Sequence, residues 1–264
     1  MIFQIFIFLI FGLIVGSFLN VLVFRLRDAE TLLGRSFCRS CKNSIRWYDN
    51  IPLISFVLLR GICRDCDTKV SWQYPIVELL TGISFVFAGY YFFSPGNILS
   101  WLETAWLLGI LSCLIVISAY DFRYMEIPLN ILIISILMTF VFLIIHFILA
   151  FEPFFFSRLW YGFLGGIIVA GFFFLLVLWS REKWMGFGDV WFGFVAGSIV
   201  GFPLILPMLT FSFGLGAIAG LFAMVYGGKN MKSQISFAPF LAGGTIIMIF
   251  LPQIFPFFFD FFIL

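Results

Sequence analysis

Apolar runs about as long as a membrane span fill most of this chain. Only 11% of its 264 residues are charged, against about a quarter in soluble domains, so a soluble globular fold is excluded. At about 20 apolar residues per span, the sequence predicts an all-α polytopic membrane protein with about eight helices. They lie near residues 2–24, 74–93, 101–120, 127–149, 158–179, 188–202, 204–226 and 237–258.

The boundary between the sixth and seventh spans has an alternative, and the first span has to be distinguished from a signal peptide. The division between the sixth and seventh spans rests on Pro203 and Pro207. Because a proline can kink a span as well as end it, seven spans remain an alternative. The first span lacks the basic N-terminal region and the small-residue cleavage site of a signal peptide, so we expect it to be retained.

The cations fall almost entirely on one side of an eight-span arrangement. The positive-inside rule assigns their loops to the cytoplasm. It therefore predicts an inner-membrane protein with its N-terminus outside and with Asp121 and Asp189 at the cytoplasmic boundary. Of the 15 cations only Arg158 falls on the other side; the rest are Arg25, Arg27, Arg35, Arg39, Lys42, Arg46, Arg60, Arg64, Lys69, Arg123, Arg181, Lys183, Lys229 and Lys232.

The one long polar segment, residues 25–73, contains two Cys-x2-Cys pairs, Cys38 with Cys41 and Cys63 with Cys66. Such a pair presents two thiolates from one turn to a tetrahedral ion, and a polar domain of this size usually needs a metal or disulfides. In a reducing cytoplasm, a structural zinc site with four thiolates is favoured over disulfides. A metal-free tetrathiol and two labile disulfides are the alternatives.

Two aspartates lie where spans meet water. Asp121 ends the third span, and Asp189 begins the sixth within the GxGD sequence Gly186-Phe187-Gly188-Asp189. Because a charge in a bilayer costs roughly 3 kcal/mol on insertion scales, such acids are functional candidates. In an aspartyl protease, an ionised carboxylate takes a proton from water while a protonated one polarises the peptide carbonyl. The residues alone leave solvated helix ends, or the ion pathway of a transporter or channel, as alternatives.

Other function classes have little support in the sequence. The single histidine, His146, lies among Ile and Phe residues far from the predicted cytoplasmic boundary. Neither a histidine zinc-protease motif nor a Ser-His pair is therefore available at that boundary. A net charge of +2 gives no indication of a nucleic-acid partner.

Short motifs extend from the first span to the last. Besides the cysteine pairs and the GxGD sequence, they are Gly16-Ser17-Phe18-Leu19-Asn20-Val21, Tyr48-Asp49-Asn50-Ile51-Pro52-Leu53, Tyr74-Pro75-Ile76-Val77-Glu78, Asp121 with Ile127-Pro128, and Phe237-Ala238-Pro239-Phe240. In order and spacing, this set resembles the bifunctional type IV prepilin peptidases. Two positions depart from that family's pattern, with Trp191 in place of a lysine and Ala238 in place of a glycine.

The resemblance implies that Asp121 and Asp189 are the catalytic pair and cleave prepilin leaders after a glycine at the cytoplasmic face. It implies N-methylation of the new N-terminus with S-adenosylmethionine in the cysteine-containing domain, although a peptidase without methyl transfer remains an alternative. Candidate methyl-transfer or substrate contacts are Asn20, Asp49, Asn50 and Glu78. The implied partners are prepilins and pilin-like proteins of pilus or type II secretion systems, and membrane lipid.

These expectations divide the chain into three parts. Residues 1–24 form the first transmembrane helix, residues 25–73 the cytoplasmic tetracysteine domain, and residues 74–264 the membrane aspartyl peptidase domain. The tetracysteine domain is the expected methyltransferase part. Because this loop has no glycine-rich dinucleotide motif, we expect any cofactor pocket to be assembled from the loop and the adjoining span ends.

Overall fold

A computed structural model describes residues 2–28, 31, 34–150, 154–227 and 236–256. Lys229 and Lys232, counted above among the cytoplasmic cations, lie outside these ranges, as does the side chain of Arg158. Within the described ranges the fold is almost entirely helical, and β-structure is limited to two isolated bridges. The chain forms two compact units, unit 1 (Met1–Phe93) and unit 2 (Ser94–Leu264).

Eight of the described helices correspond to the predicted apolar runs, and a ninth, α2, lies in the polar segment. Residues 47–50 and 202–204 add two short 3-10 helices. The α-helices are α1 (Ile2–Asp28), α2 (Ile54–Leu58), α3 (Gln73–Phe92), α4 (Ile98–Tyr124), α5 (Leu129–Ala150), α6 (Phe154–Ser180), α7 (Phe187–Val200), α8 (Ile205–Gly227) and α9 (Ala238–Ile254).

The all-α membrane architecture is confirmed, with two of the eight apolar helices shorter than expected. Six are long and apolar enough to cross a membrane, whereas α7 and α9 have only 14 and 17 residues. A 14-residue helix rises about 21 Å, which is less than the roughly 30 Å of a hydrocarbon core. Both short helices begin at the site described below.

The sixth and seventh predicted helices are separate. Gly201 follows α7 with φ +81° and ψ +161°, a conformation that residues with a side chain rarely adopt. A 3-10 turn over Phe202–Leu204 then leads into α8. The glycine and Pro203 therefore break the apolar run, while Pro207 lies in the first turn of α8, where proline is tolerated.

Two helix ends lie beyond the predicted boundaries. Helix α1 continues to Asp28, so Arg25 and Arg27 belong to its last turn and not to the loop. Helix α4 continues to Tyr124, so Asp121 lies inside its last turn. The apolar run stops at the first charge, but backbone hydrogen bonding continues into the interface, where cations at a helix C-terminus are favourable.

In unit 1, α1 and α3 pack closely through small residues. A Cβ added to Gly12 would lie 2.7 Å from Gly82 Cα, and one added to Gly16 would lie 2.7 Å from Glu78 Cα. Such close backbone approach is typical of helix pairs in membranes, where packing drives association. The sequence places α3 in the expected peptidase domain of residues 74–264. In the structure, α3 instead packs with α1, in the unit that contains the four cysteines.

In unit 2, α4 lies at the centre. Its side chains between Leu107 and Ile117 are largely buried, and it packs against α5 and α9. Helices α6 and α7 cross where Gly165 faces Gly197. This packing fixes the C-terminal end of α4 beside the N-terminal ends of α7 and α9.

Candidate active site and metal centre

Asp121 occupies a buried position in the last turn of α4, with 6% of its surface exposed. Its Oδ2 accepts hydrogen bonds from the Ser236 hydroxyl and, at 3.1 Å, from the backbone N–H of Ala238. Ala238 begins α9, and the first N–H groups of a helix have no partner within the helix. The carboxylate of one helix thus satisfies the N-terminus of another, an arrangement that favours negative charge.

Asp189 lies at the third position of α7 and is half-buried. Its Oδ2 accepts a hydrogen bond of 3.1 Å from the N–H of Gly186, the residue that precedes the helix. This is the acidic half of a capping box, and glycine supplies no side chain for the other half. Asp189, like Asp121, is therefore held at the N-terminus of a helix.

The two carboxyl groups lie close enough for their charges to interact. Their elements also touch, because a Cβ added to Gly188 would lie 3.1 Å from Ile127 Cβ, in the turn after α4. A side chain at position 188 would push this turn away from the start of α7. The second glycine of the GxGD sequence therefore permits the close approach, and the structure brings both sequence-predicted aspartates into one site.

Two donors at this site were not predicted from the sequence. The Phe237-Ala238-Pro239-Phe240 motif, which contributes to the family resemblance, also supplies the Ala238 N–H, and Ser236 directly precedes it. A serine followed by a proline near a helix start is the available local signal. Because the donor is a backbone group, alanine in place of glycine at position 238 preserves it.

The two Cys-x2-Cys pairs lie on hairpin turns of the same construction. In each turn, the first cysteine and the residue five positions later form an N–H to C=O hydrogen bond of 2.9 Å, and the residue after the second cysteine has a left-handed backbone. An isolated antiparallel bridge closes each turn. The bridges join Phe37 to Ser44 and Ile62 to Lys69.

The four sulfurs converge on one point. The Sγ atoms of Cys38, Cys41, Cys63 and Cys66 lie within 4.8 Å of one another, and those of Cys38 and Cys66 are 3.8 Å apart. A tetrahedron with Zn–S bonds of about 2.3 Å has edges of about 3.8 Å, whereas a disulfide needs about 2.05 Å. The cluster therefore fits a tetrahedral metal such as zinc, and all four thiols are free of disulfides.

One residue outside the cluster affects its chemistry. The hydroxyl of Thr68 lies 3.1 Å from Cys66 Sγ, and this hydrogen bond lowers the pKa of the Cys66 thiol to about 6. A thiolate is the form that binds metal, so Thr68 favours the ligating state at neutral pH.

Two of the methyl-transfer candidates, Asn20 and Glu78, are buried between α1 and α3. The Asn20 amide donates to the carbonyl oxygens of Gly16 (3.3 Å) and Tyr74 (3.1 Å). Glu78 Oε2 accepts a 2.8 Å hydrogen bond from the N–H of Leu53, a residue with the unusual φ of +58°. Glu78 therefore holds a strained turn of the polar segment against the membrane helix.

The other two candidates, Asp49 and Asn50, lie in the 3-10 helix of the polar segment. Asp49 forms a bidentate salt bridge with Arg64, with distances of 2.7 and 2.9 Å. Hydrogen bonding to this guanidinium lowers the pKa of the Asp49 carboxyl. Asn50 is exposed, which makes it the more accessible of the two.

His146 lies well away from the aspartate pair. Its Nε2 is 2.8 Å from Glu103 Oε1, in the N-terminal half of α4. Glu103 and Asp121 are 18 residues apart in that helix, or about 27 Å along its axis. The histidine therefore has no part in the site at Asp121, as the sequence predicts.

Comparisons with known proteins cover most of the chain. Residues 10–92 match the Bacterial Peptidase A24 N-terminal domain, and residues 108–221 match the Type IV leader peptidase family. No solved structure matches.

Three relatives match over nearly their full length. The chain is 31% identical to the type 4 prepilin-like proteins leader peptide-processing enzyme of Escherichia coli O78:H11, covering 92% of this chain and 93% of that one. It is 34% identical to the prepilin leader peptidase/N-methyltransferase of Vibrio cholerae, covering 83% and 86%. The Bacillus subtilis protein of the same name is 31% identical, with 90% of each chain covered.

The Thr68 contact predicts how metal retention depends on pH. In Thr68→Val the hydroxyl is lost, so the pKa of Cys66 rises and protons displace the metal at a higher pH than in the wild type. We expect the midpoint of zinc loss, measured as bound zinc after dialysis from neutral to mildly acidic pH, to shift upward. Thr68→Ser is the matched control and should behave as the wild type. Equal midpoints for Thr68→Val and wild type would contradict the role of the hydroxyl.

Proposed function

The chain belongs to the type IV leader peptidase family, and we propose that Asp121 and Asp189 are its catalytic pair. The protein is a prepilin peptidase with N-methyltransferase activity, which removes the leader of prepilins and methylates the new N-terminus. The observation that carries the catalytic assignment is the convergence of the two carboxyl groups, from α4 and α7, on one site. Nothing supports the transporter alternative.

The hydrogen bonds suggest how the pair divides its roles. Asp121 Oδ2 accepts two hydrogen bonds, from Ser236 and Ala238, whereas Asp189 Oδ2 accepts one, from Gly186. Donors to a carboxylate favour its ionised form. We therefore assign the ionised state to Asp121 and the proton of the pair to Asp189, because two carboxyl groups this close do not both ionise readily.

Peptide hydrolysis then follows from these two states. Asp121 takes a proton from water as the water oxygen attacks the scissile carbonyl carbon, and protonated Asp189 donates a hydrogen bond to the carbonyl oxygen. When the tetrahedral intermediate collapses, the C–N bond breaks and the proton on Asp121 passes to the departing amine. Ser236 and Ala238 both bind Oδ2, which leaves Oδ1 of Asp121 to face the water.

We assign methyl transfer to unit 1, which contains the tetracysteine cluster and matches the N-terminal domain of the family. Zinc on Cys38, Cys41, Cys63 and Cys66 has a structural role here. S-adenosylmethionine supplies an electrophilic methyl group to the free amine that cleavage produces. Asn20, Asp49, Asn50 and Glu78 remain candidate contacts.

The contacts of these four candidates separate their roles. The salt bridge from Asp49 to Arg64 and the hydrogen bond from Leu53 to Glu78 position the intervening segment, and Asn20 joins α1 to α3. Exposed Asn50 lies between the two fixed points and is therefore the residue best placed to touch a ligand. A peptidase lacking methyl transfer would show leader cleavage without any added methyl mass.

We place both activities at the cytoplasmic face of the inner membrane, with the N-terminus outside. The positive-inside rule supports this orientation. The ends of α4, α7 and α9 that carry Asp121, Asp189 and Ala238 meet at one site, as an alternating eight-span path requires. A prepilin whose basic leader lies in the cytoplasm and whose hydrophobic helix lies in the membrane would present its junction there.

The catalytic assignment predicts that Asp121→Asn and Asp189→Asn each abolish leader cleavage. An amide at position 121 cannot take the proton from water, and an amide at position 189 has no carboxyl O–H to polarise the scissile carbonyl. Mass spectrometry of a purified prepilin incubated with each variant and S-adenosylmethionine measures cleavage and methylation together. A pre-cleaved pilin should still gain a methyl group, which separates loss of the peptidase from general unfolding. Glu182→Gln, at an exposed carboxylate in the turn after α6, is the matched control and should cleave normally. Substantial cleavage by either folded variant at position 121 or 189 would contradict the assignment of Asp121 and Asp189 as the catalytic pair.

A second prediction concerns Ser236. In Ser236→Ala the carboxylate of Asp121 loses a hydrogen-bond donor, so its ionised form is less stabilised. We therefore expect the acidic limb of the pH profile of kcat/KM to move to higher pH. Ser236→Thr retains the hydroxyl and should restore the wild-type profile. An unchanged profile in Ser236→Ala would show that this hydrogen bond does not act on the reacting carboxylate.

A further inference from the structure

The short helix α2 in unit 1 presents an apolar face to its surroundings. Ile54, Val57 and Leu58 lie three and four residues apart, on one side of the helix, and are 56%, 72% and 76% exposed. The opposite side is held inside the domain, where the Ser55 hydroxyl donates to the carbonyl of Tyr48 at 2.9 Å. In water, three neighbouring aliphatic side chains this exposed would be unfavourable.

The depth of α2 can be derived from its contacts with α3. The N–H of Leu53, immediately before α2, binds Oε2 of Glu78, which lies five residues inside α3. Five residues correspond to about 7.5 Å along a helix. Phe56 of α2 also packs against Trp72, directly before α3, with ring centroids 5.0 Å apart. Because α3 is a candidate membrane span, α2 lies level with the first turns of that span.

We propose that α2 is an interfacial element that lies in the membrane surface, with Ile54, Val57 and Leu58 in contact with lipid at the boundary of headgroups and acyl chains. Amphipathic segments at this boundary bury an apolar face about 5–10 Å deep, which agrees with the depth set by Glu78. The occupant of the apolar face is therefore phospholipid.

The residues around α2 have the chemistry of a membrane interface. Trp47 and Trp72 are both largely exposed, and tryptophan is enriched where headgroups meet acyl chains. Arg60 follows two residues after the helix and is exposed, as is Arg46. These two exposed arginines, close to α2 in the chain, complement anionic headgroups. A soluble protein partner would not need this combination of depth, tryptophan and positive charge.

Helix α2 would then have a mechanical role within the polar segment. Glu78 and Trp72 fix α2 on the protein side, and lipid fixes it on the other, so the domain that carries the four cysteines is held at the membrane surface. This holds whether or not Asp121 and Asp189 are the catalytic pair, because it depends only on contacts within unit 1.

Photocrosslinking in lipid nanodiscs tests the proposal. A diazirine-bearing aliphatic amino acid replaces Leu58 in the full chain, which is purified with its metal and placed in nanodiscs of phosphatidylethanolamine and phosphatidylglycerol. After illumination, mass spectrometry identifies what has been added at that position. The same amino acid at position 141, an exposed site on the spanning helix α5, is the lipid-facing control, and position 69, an exposed lysine of the second cysteine turn, is the aqueous control.

The expected result is a phospholipid adduct at position 58 in a yield similar to that at position 141, with none at position 69. Repeating the experiment at position 57 covers the case in which the first variant misfolds, and bound zinc checks that the domain is intact. Three results would overturn the proposal: no phospholipid adduct at either position, a crosslink to another segment of the same chain, or a crosslink to a second copy.

Discussion

The hydrogen bond from the start of α9 to Asp121 is the interaction on which the site in unit 2 depends. A carboxylate buried at the end of α4 needs donors, and α9 and Ser236 supply them to one oxygen. Asp189 is held in the same way by the residue before α7. Helix N-termini thus stabilise both carboxyl groups, and a pair of acids that would otherwise be costly in a membrane becomes tolerable.

Unit 1 is organised by a different constraint, the convergence of four sulfurs. The two cysteine turns have the same backbone conformation, and in each an arginine follows the first cysteine. Those arginines make different contacts: Arg39 lies 4.5 Å from the centre of the Phe24 ring at the end of α1, and Arg64 binds Asp49. A metal that fixes the sulfurs also fixes both arginines, so it orders the span end and the segment from Asp49 to Leu53 together.

Periodic and local features of this fold could be predicted from the sequence, and long-range contacts could not. Runs of apolar residues gave eight helices, and the break near Pro203 was found where it was expected. The spacing of the cysteines indicated a site whose sulfurs do converge. The ends of α1 and α4 were missed, since a helix continues past its last apolar residue. Ser236 and the Leu53 N–H were missed because their partners, Asp121 and Glu78, are distant in the sequence.

A structure of the enzyme with its substrate would show whether Asp121 and Asp189 lie at the scissile bond. Asp189→Asn, bound to a full-length prepilin in a nanodisc, should be stable enough for electron cryomicroscopy because cleavage is blocked. We expect the scissile carbonyl to lie between the side chain of Asp121 and position 189, with its carbon within reach of a water on Asp121 Oδ1. A scissile bond bound elsewhere on the protein, with the two positions empty of substrate, would contradict it.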